Sequence, residues 1–393
     1  MTRTTSKALW MLVAWCALAC ASCSEPSTPP QTSQSWPAVC DGGPSLTLQG
    51  VDPQVHTIGP SSNVLTRAGD ALWVVESLSN TVSRLELDTG AFVPGALDVG
   101  ADRNPYDVAF DPTRAYITNY ASDSVSVLDR ATGAQIAEIT HPSLDNPSGV
   151  AHIGQRLYVS NVRFRGVGYD AGTVSVFALD TWEHLATVEV EALNPQFLST
   201  VERQGATALV VASTGALSFE GGGARLASDG GVELWTPTDD PAAPTVERFA
   251  LPLDEDAPTV GGLGRGLVQG ENLYFTSATA PVVFKLNLKD ARWEHDAQAP
   301  LQFAPIQGDA LHHGHIDSRE LLWITSFNED AMYVWDTRCD ALLAGPIELG
   351  VDPKLVEGPH GVRTVQTAQG ADVWFIMSQG NVLGRLRVSF DPS

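Results

Sequence analysis

Between Arg114 and Ile139 the chain reads RAYITNYASDSVSVLDRATGAQIAEI, with apolar and polar residues alternating in three short runs. Tyr116-Ile117-Thr118-Asn119 is the first, Ser124 to Asp129 the second and Ala134 to Ile139 the third. Ala121-Ser122-Asp123 and Ala131-Thr132-Gly133 separate them, and both are turn-forming stretches. Side chains alternate across a strand, so a period of two predicts half-buried antiparallel strands. Asn104 to Phe110, just upstream, supplies a fourth.

The same unit recurs. Seven copies can be laid out, beginning near Asn63, Asn104, Asn146, Asn194, Gly264, His312 and Pro359. A four-stranded unit repeated at this spacing predicts an all-β, seven-bladed β-propeller. The seventh copy has no outer strand before the chain reaches Ser393, while Ser45–Gly50 and Gln54–Ile58 precede the first copy without a partner. One of these N-terminal segments is expected to complete the last blade and close the ring, removing the open seam between terminal blades.

The repeat carries a resemblance. YITN followed by SVSVLD and a Thr-Gly turn resembles the YVTN-type propeller repeat of bacterial surface and periplasmic proteins. In the last copy, Gly358-Pro359-His360-Gly361-Val362, Asp372-Val373-Trp374-Phe375 and Asn381 to Leu386 are similar to the streptogramin-lyase-type repeat. The resemblance covers roughly residues 44 to 393 and is specific for fold. It says little about function, because propellers host many chemistries.

The N-terminus predicts export. Residues 1–22 read as a signal peptide, with Arg3 and Lys7 at a basic start and an apolar run from Ala8 to Ala19. Ala19-Cys20-Ala21-Ser22-Cys23 resembles a bacterial lipoprotein cleavage box. Lipidation is assigned to Cys23, with Cys20 as the alternative. If Cys23 is used, the mature chain keeps Cys40 and Cys339, an even pair that predicts a disulfide in an exported protein. Residues 23–43 read as a Ser/Pro/Thr-rich tether and 44–393 as the propeller. The expected location is the cell envelope, anchored by the lipid to a membrane facing the periplasm or cell surface.

Charge narrows the partners. The chain has 23 basic and 46 acidic residues, and removing the signal removes Arg3 and Lys7, leaving 21 − 46 = −25. Such a surface argues against nucleic acid and against an anionic lipid face. A monomer is expected, touching the membrane only through its lipid.

Candidate chemistry follows from the ring. The first residues of each inner strand should surround one mouth of the central channel. Aligning the copies places Asn63, Tyr106, Asp107, Ser148, Gln196, Arg265, His313 and His360 there. Of these, Tyr106, Asp107, Gln196 and Arg265 are ligand-binding candidates, because mixed polar groups around a pit suit a polar ligand. Arg163 and Arg165 join them from a long loop, Val162 to Gly172, that should open on the same face. A second long loop runs from Ser213 to Gly230.

His312-His313-Gly314-His315 tempts a metal reading, with Asp309 and Asp317 nearby in sequence. A strand puts His313 and His315 on one face, but a structural site wants about four ligands, and His315 aligns with Val150 and Val362. It is therefore read as a packed inner-strand residue, and no metal ligand or cofactor is assigned.

The function expected is a non-catalytic binding or scaffold module for an envelope protein, peptide or small polar ligand. The streptogramin-lyase resemblance implies an alternative, a metal-assisted lyase or hydrolase. His360 and His313 would then be catalytic, with a histidine as acid/base beside a divalent ion. That family pairs Trp-Phe-Thr with Glu. Here only Trp73-Val74-Val75-Glu76 keeps the Glu, while the last two copies have Ser326-Phe327 and Met377-Ser378.

Overall fold

The computed structural model describes residues 34–218, 225–253, 260–305, 311–350 and 355–391. The signal segment and both candidate lipidation sites lie outside them. Seven antiparallel sheets form the blades of an all-β propeller. Their inner strands are Ser62–Ala68, Pro105–Phe110, Pro147–Ile153, Pro195–Arg203, Leu267–Gln269, His312–Ile316 and Pro359–Gln366. Each blade then steps outward through strands two to four.

Local chemistry explains the repeat. Asn104, Asn146 and Asn194 precede the prolines that open three inner strands, and all three sit at positive φ, between 52° and 59°. Asn tolerates that left-handed conformation better than most residues. Near the axis neighbouring inner strands crowd together. A Cβ on Gly149 would lie 2.6 Å from the Leu198 amide, and one on Gly361 would lie 3.0 Å from that of Leu65.

The core is divided among the blade interfaces. One cluster joins Trp73 and Val75 of blade one to Val108 and Ile117 of blade two. Another joins Trp323 and Val334 of blade six to Val373 and Phe375 of blade seven. Trp73, Trp235 and Trp323 are at most 1% exposed, so they serve blade packing, as do Trp335 and Trp374.

Ring closure takes the expected route. Ser45–Thr57 is one long strand running antiparallel to Val382–Asp391, from Ser45 opposite Asp391 to Thr57 opposite Val382. Both N-terminal segments weighed from sequence belong to it, joined across a shift in register between Asp52 and His56. The folded part starts earlier than a tether over 23–43 implies, since Ser35–Trp36 adds a further short strand opposite Thr47 and Leu46. An exposed strand edge offers unpaired backbone groups, and these two residues take some of them up.

Cys40 and Cys339 form a disulfide with Cα atoms 5.9 Å apart. Beside it Arg338 donates to the Gly42 carbonyl at 3.1 Å. The bond ties the chain ahead of the closing strand to the turn before blade six's outer strand, Ala341–Glu348.

Candidate functional site

The inner strands do not share one register. In blades one to four and seven the strand carries an irregularity near its start, as between Pro359 and Val362. Blade six has none, and His312 to Ile316 pair residue for residue with Ser326 to Leu322. His315 therefore lies opposite Trp323, the place Arg363 takes opposite Trp374. The sequence alignment of His315 with Val150 and Val362 is off by one. Those valines lie opposite Val159 and Phe375. His315 still packs between blades, its Nε2 being 3.0 Å from Thr364 Oγ1.

Side chains bridge the channel. Arg265 Nη2 of blade five lies 2.8 Å from Asp107 Oδ2 of blade two. Arg265 Nη1 donates to the Leu198 carbonyl at 2.7 Å, and its guanidinium sits over the Phe197 ring. Asp107 is 2% exposed and also accepts the backbone N–H groups of Val108 and Val150. Gln196 Nε2 of blade four donates to the Tyr106 hydroxyl, while Thr214 donates to Gln196 Oε1 at 3.1 Å. Burial foremost raises the Tyr106 hydroxyl far above its ordinary range, so it stays protonated. Four of the predicted mouth residues thus form two pairs reaching from one side of the ring to the other.

His313 and His360 also meet, with ring centroids 3.8 Å apart and planes at 40°. His360 Nδ1 is 2.8 Å from the Asn63 carbonyl oxygen, which can only accept, so Nδ1 carries the hydrogen. His313 Nε2 and Asn63 Oδ1 are buried without a hydrogen-bond partner among the described residues. Burial lowers His360 to about 4, partly offset by the bond to Asn63. Burial also takes His313 well below its ordinary value, followed by the charges of His360, His312, Arg265 and Arg363. Both rings are neutral at pH 7.

Sequence reading missed Arg363. Its charge lies within electrostatic range of the same group: burial and then the charge of Arg265 lower it to about 10, against a pull from Asp107. It remains a cation at pH 7, and among the described residues its one hydrogen bond is from Nη1 to the Val362 carbonyl, at 2.7 Å. A signal was present. The inner-strand places equivalent by register hold Thr66, Ala109, Ala151, Ser199, Leu267, His315 and Arg363, the last being the sole arginine.

Arg163 and Arg165 are placed differently from the channel residues. Arg165 donates to Asp145 at 3.0 Å through Nη1 and to Asp170 at 2.6 Å through Nε. Arg163 Nη1 donates to the Ala171 carbonyl at 2.9 Å. Both guanidinium groups hold the long loop to itself and to Asp145. The loop's Phe164 and Tyr169 rings pack 5.1 Å apart. Tyr169 stands near Tyr106 and Tyr120, whose own rings are 5.8 Å apart.

A divalent metal does not fit this donor set. The two channel histidines offer two nitrogens, and no group of three or more His, Cys, Asp or Glu residues suits a metal among the described residues. Asp317 accepts the Arg319 and Leu321 amides and the Trp323 indole N–H, so it shapes a turn. Asp309 lies outside the described residues. Glu76 accepts from the Gly59 amide, Thr81 and Ser83. Two guanidinium cations beside the histidines further oppose a divalent ion.

Solved structures similar to the chain include propellers. A streptogramin B lyase matches with a TM-score of 0.62 at 14% identity, covering 88% of this chain and 98% of that one. Virginiamycin B lyase from Staphylococcus aureus matches at 0.60 and 15%, covering 87% and 99%. The fold is a streptogramin-lyase-like β-propeller. Hydrazine synthase of Kuenenia stuttgartiensis also matches at 0.60 and 15%, covering 86% and 97%. One fold thus carries unrelated chemistries, and these identities speak to fold alone. No family model matches the chain, so the YVTN-type resemblance has no support there, and no curated protein matches it.

Two surface clefts lie elsewhere. One of about 480 Å³ at the closure seam is lined by Arg319, Arg338 and Phe390, among others. Another of about 330 Å³, between blades one and two, is lined by Trp73, Arg84 and Arg130, among others.

Proposed function

We propose that this is an exported, lipid-anchored propeller of the bacterial cell envelope that binds a small polar ligand in its channel without transforming it. The observation that carries the binding reading is the convergence of Arg265, Arg363, His313 and His360, from three blades, on one channel. A buried nitrogen there lacks a partner among the described residues. Buried polar atoms are ordinarily satisfied, so an orphan beside unspent donors is where a ligand group fits.

Export is supported by the apolar N-terminal run before Cys20 and Cys23. The Cys40–Cys339 bond suits an oxidising compartment. Absence of turnover is supported by the chemistry of the histidines. In the unliganded protein an imidazole held near 4, as His360 is, carries almost no proton to donate at pH 7. That weighs against the lyase alternative, as does the poor fit of the donor set to a metal.

The test is thermal unfolding of the purified protein with a panel of anionic, neutral and cationic small molecules, beside Gln196→Ala and His360→Ala. A ligand selective for the folded state raises Tm, and the rise should vanish in at least one variant. Silence across the panel would remove the binding reading. For location, metabolic labelling with palmitate should mark the parent and spare Cys23→Ser. A label that survives in Cys23→Ser and disappears in Cys20→Ser would move the anchor to Cys20.

A further inference from the structure

We infer that the channel's ligand is an anion, a small molecule whose carboxylate or phosphate group is held between Arg265, Arg363 and the His313–His360 pair. This rests on the binding reading above and narrows it to one class of charge.

The charge balance of the site runs opposite to that of the chain. The whole sequence carries −23. In the channel two guanidinium groups, Arg265 and Arg363, share one carboxylate, Asp107. Among the described residues one positive charge is left in excess. Asp107 has three of its roughly four acceptor sites taken, Oδ1 by the Val108 amide and Oδ2 by Arg265 and the Val150 amide. It neutralises Arg265 in part and has little capacity left for Arg363.

The unspent hydrogen-bonding groups point the same way. A guanidinium has five N–H donors in a planar fork that suits carboxylate and phosphate oxygens. Among the described residues Arg363 spends one of them, on the Val362 carbonyl. A cationic ligand would meet two guanidinium groups, and a neutral one would leave the excess charge uncompensated. Walls of low polarisability around a channel strengthen whatever charge interaction does form there.

The histidines give the anion a second grip. His360 already commits its Nδ1 hydrogen to the Asn63 carbonyl. Its Nε2 can donate only after the ring takes up a proton, and an anion alongside favours that uptake. The Nε2 of His313, without a partner among the described residues, would gain one as well, donating from the neutral Nε2–H tautomer or after protonation. Binding is therefore expected to absorb protons and to tighten as pH falls from 8 to 6.

The experiment is calorimetry and thermal unfolding of the purified protein with sodium phosphate and, separately, sodium malonate, each against sodium chloride at equal ionic strength. At least one should bind, and Arg363→Gln should weaken it by about tenfold or more. Arg387→Gln, an exposed arginine on blade seven, should leave it unchanged. Proton uptake is read from the dependence of the binding enthalpy on the buffer's ionisation enthalpy, and His360→Asn should reduce it. Phosphate alone binding assigns a phosphate-bearing ligand, and malonate alone a carboxylate.

If the variants do not fold, the histidine ring resonances of the parent carry the test, and saturating anion must shift those of the channel pair. Silence of both anions overturns the inference, as does equal binding by Arg363→Gln and the parent. A neutral or cationic molecule that binds through Gln196 or His360 while both anions are silent overturns the anion class and leaves the binding module standing. Silence of the whole panel removes both.

Discussion

Arg265 and Asp107 come from blades three places apart on the ring, and their charged groups meet at 2.8 Å across the channel. The carboxylate is 2% exposed, so removing the arginine leaves a buried charge with only backbone donors. Arg265→Met should cost about 3 kcal/mol, near the lower end for breaking a buried pair. The arginine side chain is 27% exposed, which keeps the figure from being larger. Asp107→Asn combined with Arg265→Met should cost less than the two changes summed. Urea unfolding of the four proteins checks this, and an additive cycle would mean the groups are not coupled.

The histidines of blades six and seven make stability depend on pH. His312 and His360 are lowered to about 4 and His315 to about 3, in each case by burial first. Above the ordinary value of 6.5 these rings are neutral in both folded and unfolded chains, and their burial costs no proton. Below it the unfolded chain takes up protons that the folded one refuses. Stability should therefore fall as pH drops from about 6.5 to about 4, by at most about 1.4 kcal/mol per pH unit for each histidine. His360→Asn should flatten the slope between pH 6 and 5 by about 1 kcal/mol per pH unit. Urea midpoints in chloride buffers measure it, and an unchanged slope would show that His360 titrates normally.

How far the chain could be read depended on whether the signal was periodic. The strands of blade two, the missing outer strand of blade seven and the pairing of Cys40 with Cys339 follow from alternation, from counting strands and from cysteine parity. The mouth residues followed from aligning the copies, and Tyr106, Asp107, Gln196, Arg265, His313 and His360 do converge on the channel. Their partners did not follow. Whether Asp107 reaches Arg265 depends on the width of the ring, which is set by how closely neighbouring strands approach at Gly149 and Gly361. Arg363 was missed, and His315 misaligned by one place, because an irregularity present in blade seven and absent from blade six shifts the count. A slip of one residue in a strand moves every side chain to the opposite face.

The long loop of blade three makes a separate prediction. Arg165 ties Asp170 to Asp145, but its side chain is 35% exposed, and exposed ion pairs contribute little. Arg165→Ala should change global stability by less than about 1 kcal/mol. Local order should respond more, because the same guanidinium holds two carboxylates from different segments. Hydrogen exchange of the amides from 163 to 171 should speed up, while the strands of blade three keep their protection. Unchanged exchange would mean that Arg163 and the Phe164–Tyr169 pair suffice to hold the loop.

Closure of the ring depends on a strand that arrives from the far end of the chain. Cys40 and Cys339 are 299 residues apart in sequence, so their bond restricts the unfolded chain over a very long loop. It also acts locally, pinning the chain just ahead of Ser45–Thr57, beside the Arg338 bond to Gly42. Cys40→Ser with Cys339→Ser should lower stability by about 3 kcal/mol. Loss of the bond should show first at the seam. Without it the closing strand is held by its hydrogen bonds to Val382–Asp391 and by Leu46 and Leu48, which pack with Trp323 and Val388. Hydrogen exchange should therefore rise first in Ser45–Thr57 and along its partner, while blade three keeps the parent's protection. If exchange rises evenly around the ring, the disulfide acts only through the unfolded chain and the seam is no weaker than any other blade interface.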